Sequence, residues 1–120
     1  MAGEVSFIEL GVEDTERGRR FYERLFGWSF GPSPSGPGFV FDTPTVPGGM
    51  HGGDPGGGAY VFFRVEDIDA AIARVQELGG TLEQVDAEGN DESIARFGRF
   101  QLCRDDQGSA FGLHQPPPGR

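Results

Sequence analysis

Lysine is absent from this 120-residue chain, and cysteine occurs once, as Cys103. Without lysine, the glycine-rich "GGDPGGG" (residues 52–58) cannot open a phosphate-binding loop, which needs a Lys-Ser or Lys-Thr after its glycines. A single cysteine excludes an internal disulfide and fits a reducing compartment. No apolar run approaches the length of a membrane span. "MAGEVSFIEL" lacks the basic start and apolar stretch of a secretory leader, so the expected location is cytoplasmic, with no membrane partner. Positive charge is also scarce. Ten Arg stand against nineteen acidic residues, for a net charge of −9. That balance repels phosphate backbones and argues against a nucleic-acid partner. It favours solubility and cationic ligands.

The chain is rich in glycine, with 21 residues of which ten cluster between 31 and 58, and in phenylalanine, with 11. Its length suits one domain with one core. "VSFIELGV" (5–12) alternates, with Ile8, Leu10 and Val12 on one face and Phe7, Glu9 and Gly11 on the other, as a half-buried strand does. In residues 15–26, Phe21, Tyr22 and Leu25 form a helical stripe, Asp14 or Thr15 can cap the start, and Gly27 sits where a left-handed cap belongs. Short strands follow in "WSF" and "GFVFDT", split by the turn-rich "GPSPSGPG", with another around Met50. "GGDPGGG" reads as a loop.

The pattern then restarts. Residues 59–65 alternate as a strand, and Ile68, Ala71, Ile72, Val75 and Leu78 are spaced as a buried helical stripe ended by Gly79. "TLEQVDA", "GRFQLCRD" and "SAFGLHQ" supply three more strands, the last two joined by the tight turn "DDQG". A shift of 53 carries Val12-Glu13-Asp14 onto Val65-Glu66-Asp67, Leu25 onto Leu78 and Gly27 onto Gly80. Gly49-Met50-His51 and Gly112-Leu113-His114 repeat at 63, the excess falling in a longer loop near "DAEGNDE". The chain therefore reads as a duplication, with one module over about 1–55 and another over about 56–120. His51 and His114 are expected at equivalent places.

"FIELGVEDTERGRRFYERLFGW" resembles the first module of the glyoxalase/bleomycin-resistance/dioxygenase superfamily, the vicinal oxygen chelate proteins. "VEDIDAAIARVQELGGTL" and "GRFQLCRDDQGSAFGLHQP" resemble the second. The resemblance implies an α+β fold. Two βαβββ modules form curled mixed sheets around a cavity, with helices on the outer face, often in a homodimer. It also implies a divalent metal held from the first and last strands of each module. Here those positions fall on Phe7, Tyr60, Gly112 and Gly49. Phe and Gly side chains supply no donor, so the usual metal site is expected to be missing.

Residues two apart on a strand share a face. Counted from the family's ligand positions, the cavity lining that the resemblance implies is Phe7, Glu9, His51, Tyr60, Phe62, Arg64, Gly112 and His114: aromatic walls with a few polar groups, as a small-molecule pocket needs. The first reading is a binding protein for a small, partly aromatic or cationic molecule, with no cofactor. The alternative is a metal-dependent lyase, isomerase or dioxygenase with a divalent ion on Glu9, His51 and His114, or an enzyme using Glu9 as a general base. A third reading makes the chain one subunit of a larger assembly with a vestigial cup. "GWSFG" matches the G-x-S-x-G pattern but lacks its strand-to-helix context. Cys103 reads as a core residue, and Arg17, Arg19, Arg20 and Arg24 as a solvated helix face with Glu16 and Glu23. Trp28 and Phe30 read as core or as a dimer contact.

Overall fold

A computed structural model describes residues 3–83 and 91–119. The first module contributes β1 (Val5–Gly11), α1 (Thr15–Phe26), β2 (Ser29–Pro32), β3 (Phe39–Asp42) and β4 (Pro47–His51). The second contributes β5 (Gly58–Arg64), α2 (Ile68–Glu77), β6 (Thr81–Leu82), α3 (Asp91–Phe97), β7 (Arg99–Arg104) and β8 (Ala110–Gln115). All eight strands join one mixed sheet in the order β2-β3-β4-β1-β5-β8-β7-β6. The sheet is not closed into a barrel.

The duplication is visible in the pairing. Strand β1 runs parallel to β4, with Glu9 beside Gly49 and Gly11 beside His51. Strand β5 runs parallel to β8, with Phe62 beside Gly112 and Arg64 beside His114. These pairs superimpose under the shifts of 53 and 63, so the two histidines do occupy equivalent places. The central strands β1 and β5 are antiparallel, pairing Phe7 with Phe62 and Glu9 with Tyr60. The modules are thus related by an approximate two-fold axis that passes between these strands.

Local chemistry sets the helix boundaries. Asp14 accepts a hydrogen bond from the Arg17 amide at the start of α1, and Asp67 does the same for Ala70 at the start of α2. Each carboxylate satisfies an amide that has no partner within its helix. Gly27 ends α1 with φ of 75°, a left-handed conformation costly for any other residue. In the second module the left-handed glycine is Gly79, not the Gly80 that the 53-residue shift selects. Helix α2 stops at Glu77 with Leu78 as its C-cap, two residues earlier than the repeat places them, and Gly79 follows the cap. Arg19 pairs with Glu16 and Glu23 at 2.9 and 2.7 Å on the outer face of α1, as the charge spacing suggests.

Helices α1 and α2 cover one face of the sheet. Leu10, Phe41 and Met50 are buried there under Tyr22 and Trp28, and Trp28 stacks on Phe41 at 4.9 Å. Ile68, Cys103 and Leu113 form the matching cluster under Ala71, Ile72 and Val75. Trp28 and Phe30 therefore pack against the first core cluster. Cys103 is 0% exposed, and burial pushes its thiol up to about 11, so it is an unreactive core residue.

Two expectations need correction. The strand read over residues 81–87 ends at Leu82, and residues 84–90 lie outside the described part. Helix α3 follows, in a stretch with no clear periodicity. Its last residue, Phe97, lies on the sheet face opposite α1 and α2, beside Phe7 and His114. The helices are therefore not confined to one side. Among the described residues, no helix is long and apolar enough to cross a membrane.

Close packing of glycine against an aromatic ring makes the second module easy to test. A Cβ on Gly112 would sit 2.1 Å from the Phe62 ring. Gly112→Ala should cost about 1–3 kcal/mol through overpacking. Gly27→Ala, with open space around it, should cost about 1 kcal/mol through backbone strain alone. Urea unfolding of both variants measures the difference.

Candidate functional site

Alternation along β1 sends Phe7, Glu9 and Gly11 to the sheet face away from α1 and α2. The neighbouring strands present Gly49, His51, Tyr60, Phe62, Gly112 and His114 there too, so the expected lining residues share a face. They do not share one place. The face divides into a polar half and an aromatic half.

The polar half is built around His51, at the end of β4. Its Nδ1–H donates to Glu9 Oε2 at 2.6 Å, and its Nε2–H donates to Asp54 Oδ2 at 2.9 Å. The Tyr60 hydroxyl also donates to Asp54 Oδ2, at 3.0 Å. Asp54 is carried by the loop 52–57, which is tied to the strand exit by Gly53 N–H to Glu13 O and Asp54 N–H to Val12 O. The backbone is shaped around that carboxylate: a Cβ on Gly11 would fall 2.2 Å from Asp54 Oδ2, and one on Gly57 would fall 2.3 Å from it. The side chains of His51, Glu9 and Asp54 remain 40%, 27% and 32% exposed, so solvent-borne molecules can reach them.

Two carboxylates hold the imidazole in its charged form. The hydrogen bond to Glu9 is the main cause, opposed by partial burial and helped by Asp54, and it raises His51 from 6.5 to about 9. The same contacts lower Asp54, through His51 first and Tyr60 second. The bond to Asp54 raises Tyr60. At neutral pH the cluster is therefore an imidazolium between two carboxylates, with a phenol hydroxyl on one of them.

The aromatic half is filled. Phe7 packs edge-on against Phe62 and Phe97 at 6.1 and 5.9 Å and lies 4.6 Å from Phe100. His114 stacks on Phe100 at 4.4 Å and is 4% exposed. Its Nε2–H donates to the Phe97 carbonyl at 2.6 Å, and its Nδ1 accepts from the Ser6 hydroxyl at 2.7 Å. Burial lowers its affinity for a proton. Both ring nitrogens are committed to the protein, which gives His114 a structural role. Arg64 sits beside it in the strand register.

The set Glu9, His51 and His114 is not assembled. His51 is level with Gly11, whereas His114 is level with Arg64, whose amide bonds the Glu4 carbonyl. At ~3.3 Å per residue, the two rings lie about 20 Å apart along β1 alone. The positions that the family resemblance assigns to metal ligands do not suit an ion either. Phe7, Gly49 and Gly112 lack donors, and the Tyr60 hydroxyl is engaged by Asp54. The Phe62 ring covers Gly112, and a Cβ on Gly49 would meet Glu9 Oε1 at 2.5 Å. Among the described residues, no group of three His, Cys, Asp or Glu side chains is arranged to hold a metal.

Asp54 is the site residue that reading the sequence missed, because "GGDPGGG" read only as a loop. The available signal was a lone carboxylate three residues after a histidine, surrounded by glycines. Two surface depressions lie away from this face. One, of about 460 Å³, is lined by Arg17, Arg20, Phe21, Arg24 and Leu25. The other, of about 270 Å³, lies between Arg64–Glu66 and Gln115–Gly119.

The two histidines should give stability opposite dependences on pH. His51 is raised when folded, so its contribution is complete below 6.5 and is lost as pH rises through about 9. His114 is lowered when folded, so its contribution is present above 6.5 and is lost as pH falls below that value. Urea midpoints should therefore peak near neutrality. His51→Gln should flatten the alkaline limb and leave the acid limb in place.

Comparison with known proteins agrees with this architecture. The profile of the glyoxalase-like domain matches residues 7–114. A glyoxylase-like domain-containing protein of Didymella fabae is 33% identical over 89 residues, which cover 65% of this chain and 70% of that protein. A 59-residue stretch is 41% identical to the protein named "Putative glyoxylase CFP32" of Mycobacterium tuberculosis, but the match spans only 21% of that protein. Among solved structures, methylmalonyl-CoA epimerase from Mycobacterium tuberculosis superimposes with a TM-score of 0.65 at 16% identity, covering 97% of this chain and 89% of its own. A glyoxalase/bleomycin resistance protein/dioxygenase superfamily member from Vibrio splendidus gives 0.56 at 16% identity, covering 94% and 98%. At such identities these structures speak for the fold alone. The chain belongs to the glyoxalase-like domain family, with its duplicated βαβββ fold.

Proposed function

We propose that this protein binds a small, partly aromatic molecule on the polar half of the sheet face, through Glu9, His51, Asp54 and Tyr60 and without a divalent metal. The observation that carries this reading is the half-exposed imidazolium held between two carboxylates. Charged and hydrogen-bonding groups are fixed in place there, yet open to a ligand. The Tyr60 ring, 6.1 Å from the His51 ring, offers an aromatic wall beside them. While Asp54 stays in place, two negative charges against one positive charge attract a cationic group. The metal-dependent alternative on Glu9, His51 and His114 draws no support from this geometry. Catalysis by Glu9 would require a ligand to break its bond to His51.

Benzamidine, benzamide and benzoate share one ring and differ in charge, so they separate the electrostatic preferences of the site. At least one should raise the melting temperature and shift the His51 NMR signals while leaving those of His114 in place. Glu9→Gln should weaken that binding about tenfold or more, because a charge-assisted bond is lost. Added Zn²⁺ or Mn²⁺ should not change it. Perturbation of His114 alone, or affinity that depends on added metal, would overturn the reading.

A further inference from the structure

The structure assigns Asp54 a second role. We propose that it stands in for the carboxylate of the ligand: His51 Nε2–H and Tyr60 O–H form a carboxylate-binding pair that the protein's own loop fills until an acidic small molecule displaces it. This inference rests on the reading that the ligand occupies the polar half, and it names the ligand's chemical class.

Two donors from different strands, at 2.9 and 3.0 Å, meet on a single oxygen, Asp54 Oδ2. A donor bond to an ionised carboxylate oxygen is stronger than a neutral one, and here two donors converge on the same oxygen. The backbone is cleared for the incoming group. Gly11, on the strand that stays, lacks the Cβ that would collide with the carboxylate. The strand position does not itself demand glycine, since the counterpart of Gly11 in the second module is Arg64. Glu9 supports the arrangement from behind. It holds Nδ1 at 2.6 Å and keeps the imidazole charged whichever carboxylate sits in front.

The loop is built to leave. Five of the seven residues from Gly52 to Gly58 are glycine, and Gly53, Gly56 and Gly58 have positive φ. The loop buries no apolar side chain, so its departure exposes no core. Exchange of one carboxylate for another leaves the charge beside the imidazolium unchanged, while the displaced Asp54 carries its own charge out into solvent. The exchange also conserves both hydrogen bonds.

Removal of the stand-in tests the idea. Asp54→Ala should create a vacant anion site that formate, acetate and benzoate fill saturably, at least about tenfold more tightly than in the wild-type protein. His51 NMR shifts and melting temperature would follow binding, with chloride at equal ionic strength as the control. Asp54→Asn, which keeps the side-chain volume but loses the charge, should bind with intermediate affinity. Tyr60→Phe added to Asp54→Ala should remove most of the gain. Carboxylate affinities equal in wild type, Asp54→Ala and Asp54→Asn would sink the proposal, as would indifference to Tyr60→Phe. If those anions fail while benzamidine or benzamide still shifts His51 in the wild type, the displacement idea falls and the binding reading stands. Rescue by formate in Asp54→Ala, with no aromatic ligand bound by the wild type, supports the displacement and defeats the broader reading.

Discussion

Strands β1 and β5 lie antiparallel at the centre of the sheet, in a register that pairs Phe7 with Phe62 and Glu9 with Tyr60. Each module ends in a strand that runs parallel to its own first strand, so this single contact fixes where β4 and β8 deliver their side chains. A one-residue slip would exchange every side chain between the two faces, placing Ile8 and Leu10 in the open and Phe7 and Glu9 under the helices. The oily face of β1 therefore sets the register, and the register sets the site.

The approximate two-fold symmetry explains why equivalent residues do different work. Positions related by the axis lie on the same face but on opposite sides of it. Glu9 and Phe62 are equivalent, and each lies over a glycine, Gly49 and Gly112 respectively. His51 and His114 are equivalent, and each closes a parallel pair with a first strand. His51 and His114 lie far from the axis, about 20 Å apart along β1, so these two copies do not converge on one ion. The symmetry thus yields two separate half-sites, and the chain has made one polar and the other apolar.

Much of the fold was legible in the sequence because it depends on local rules. Period-two alternation found β1 and β5. The caps Asp14 and Gly27 and the stripes from Phe21 to Leu25 and from Ile68 to Val75 found α1 and α2, although Leu78, read into the second stripe, is exposed beyond the helix end. The shared face of Phe7, Glu9, Tyr60, Phe62 and the two histidines also followed from alternation. Their division into two groups did not, because strand direction and register are long-range properties. Helix α3 has only two turns, too few to show a period. Asp54 depends on a tertiary contact between a loop and β1, and glycine-rich segments carry little pattern from which to infer one.

The asymmetry between the halves has a structural source in α3. Only the second module carries a helix between its second and third strands, and that helix ends with Phe97 against Phe7 and His114. Burying a phenylalanine contributes about 2–3 kcal/mol, so Phe7 and Phe62 supply substantial stability on a face that would otherwise be open. His114 fits there because the Phe97 carbonyl and the Ser6 hydroxyl satisfy both ring nitrogens, without which a buried imidazole would be destabilising. The first module has no such helix, so its half of the face stays open. Its histidine stays charged, and its glycine-rich loop reaches the site in place of a packed helix end. One copy of the duplicated unit has been committed to packing, which leaves the other free to carry a polar, solvent-facing cluster whose own folding contribution depends on pH.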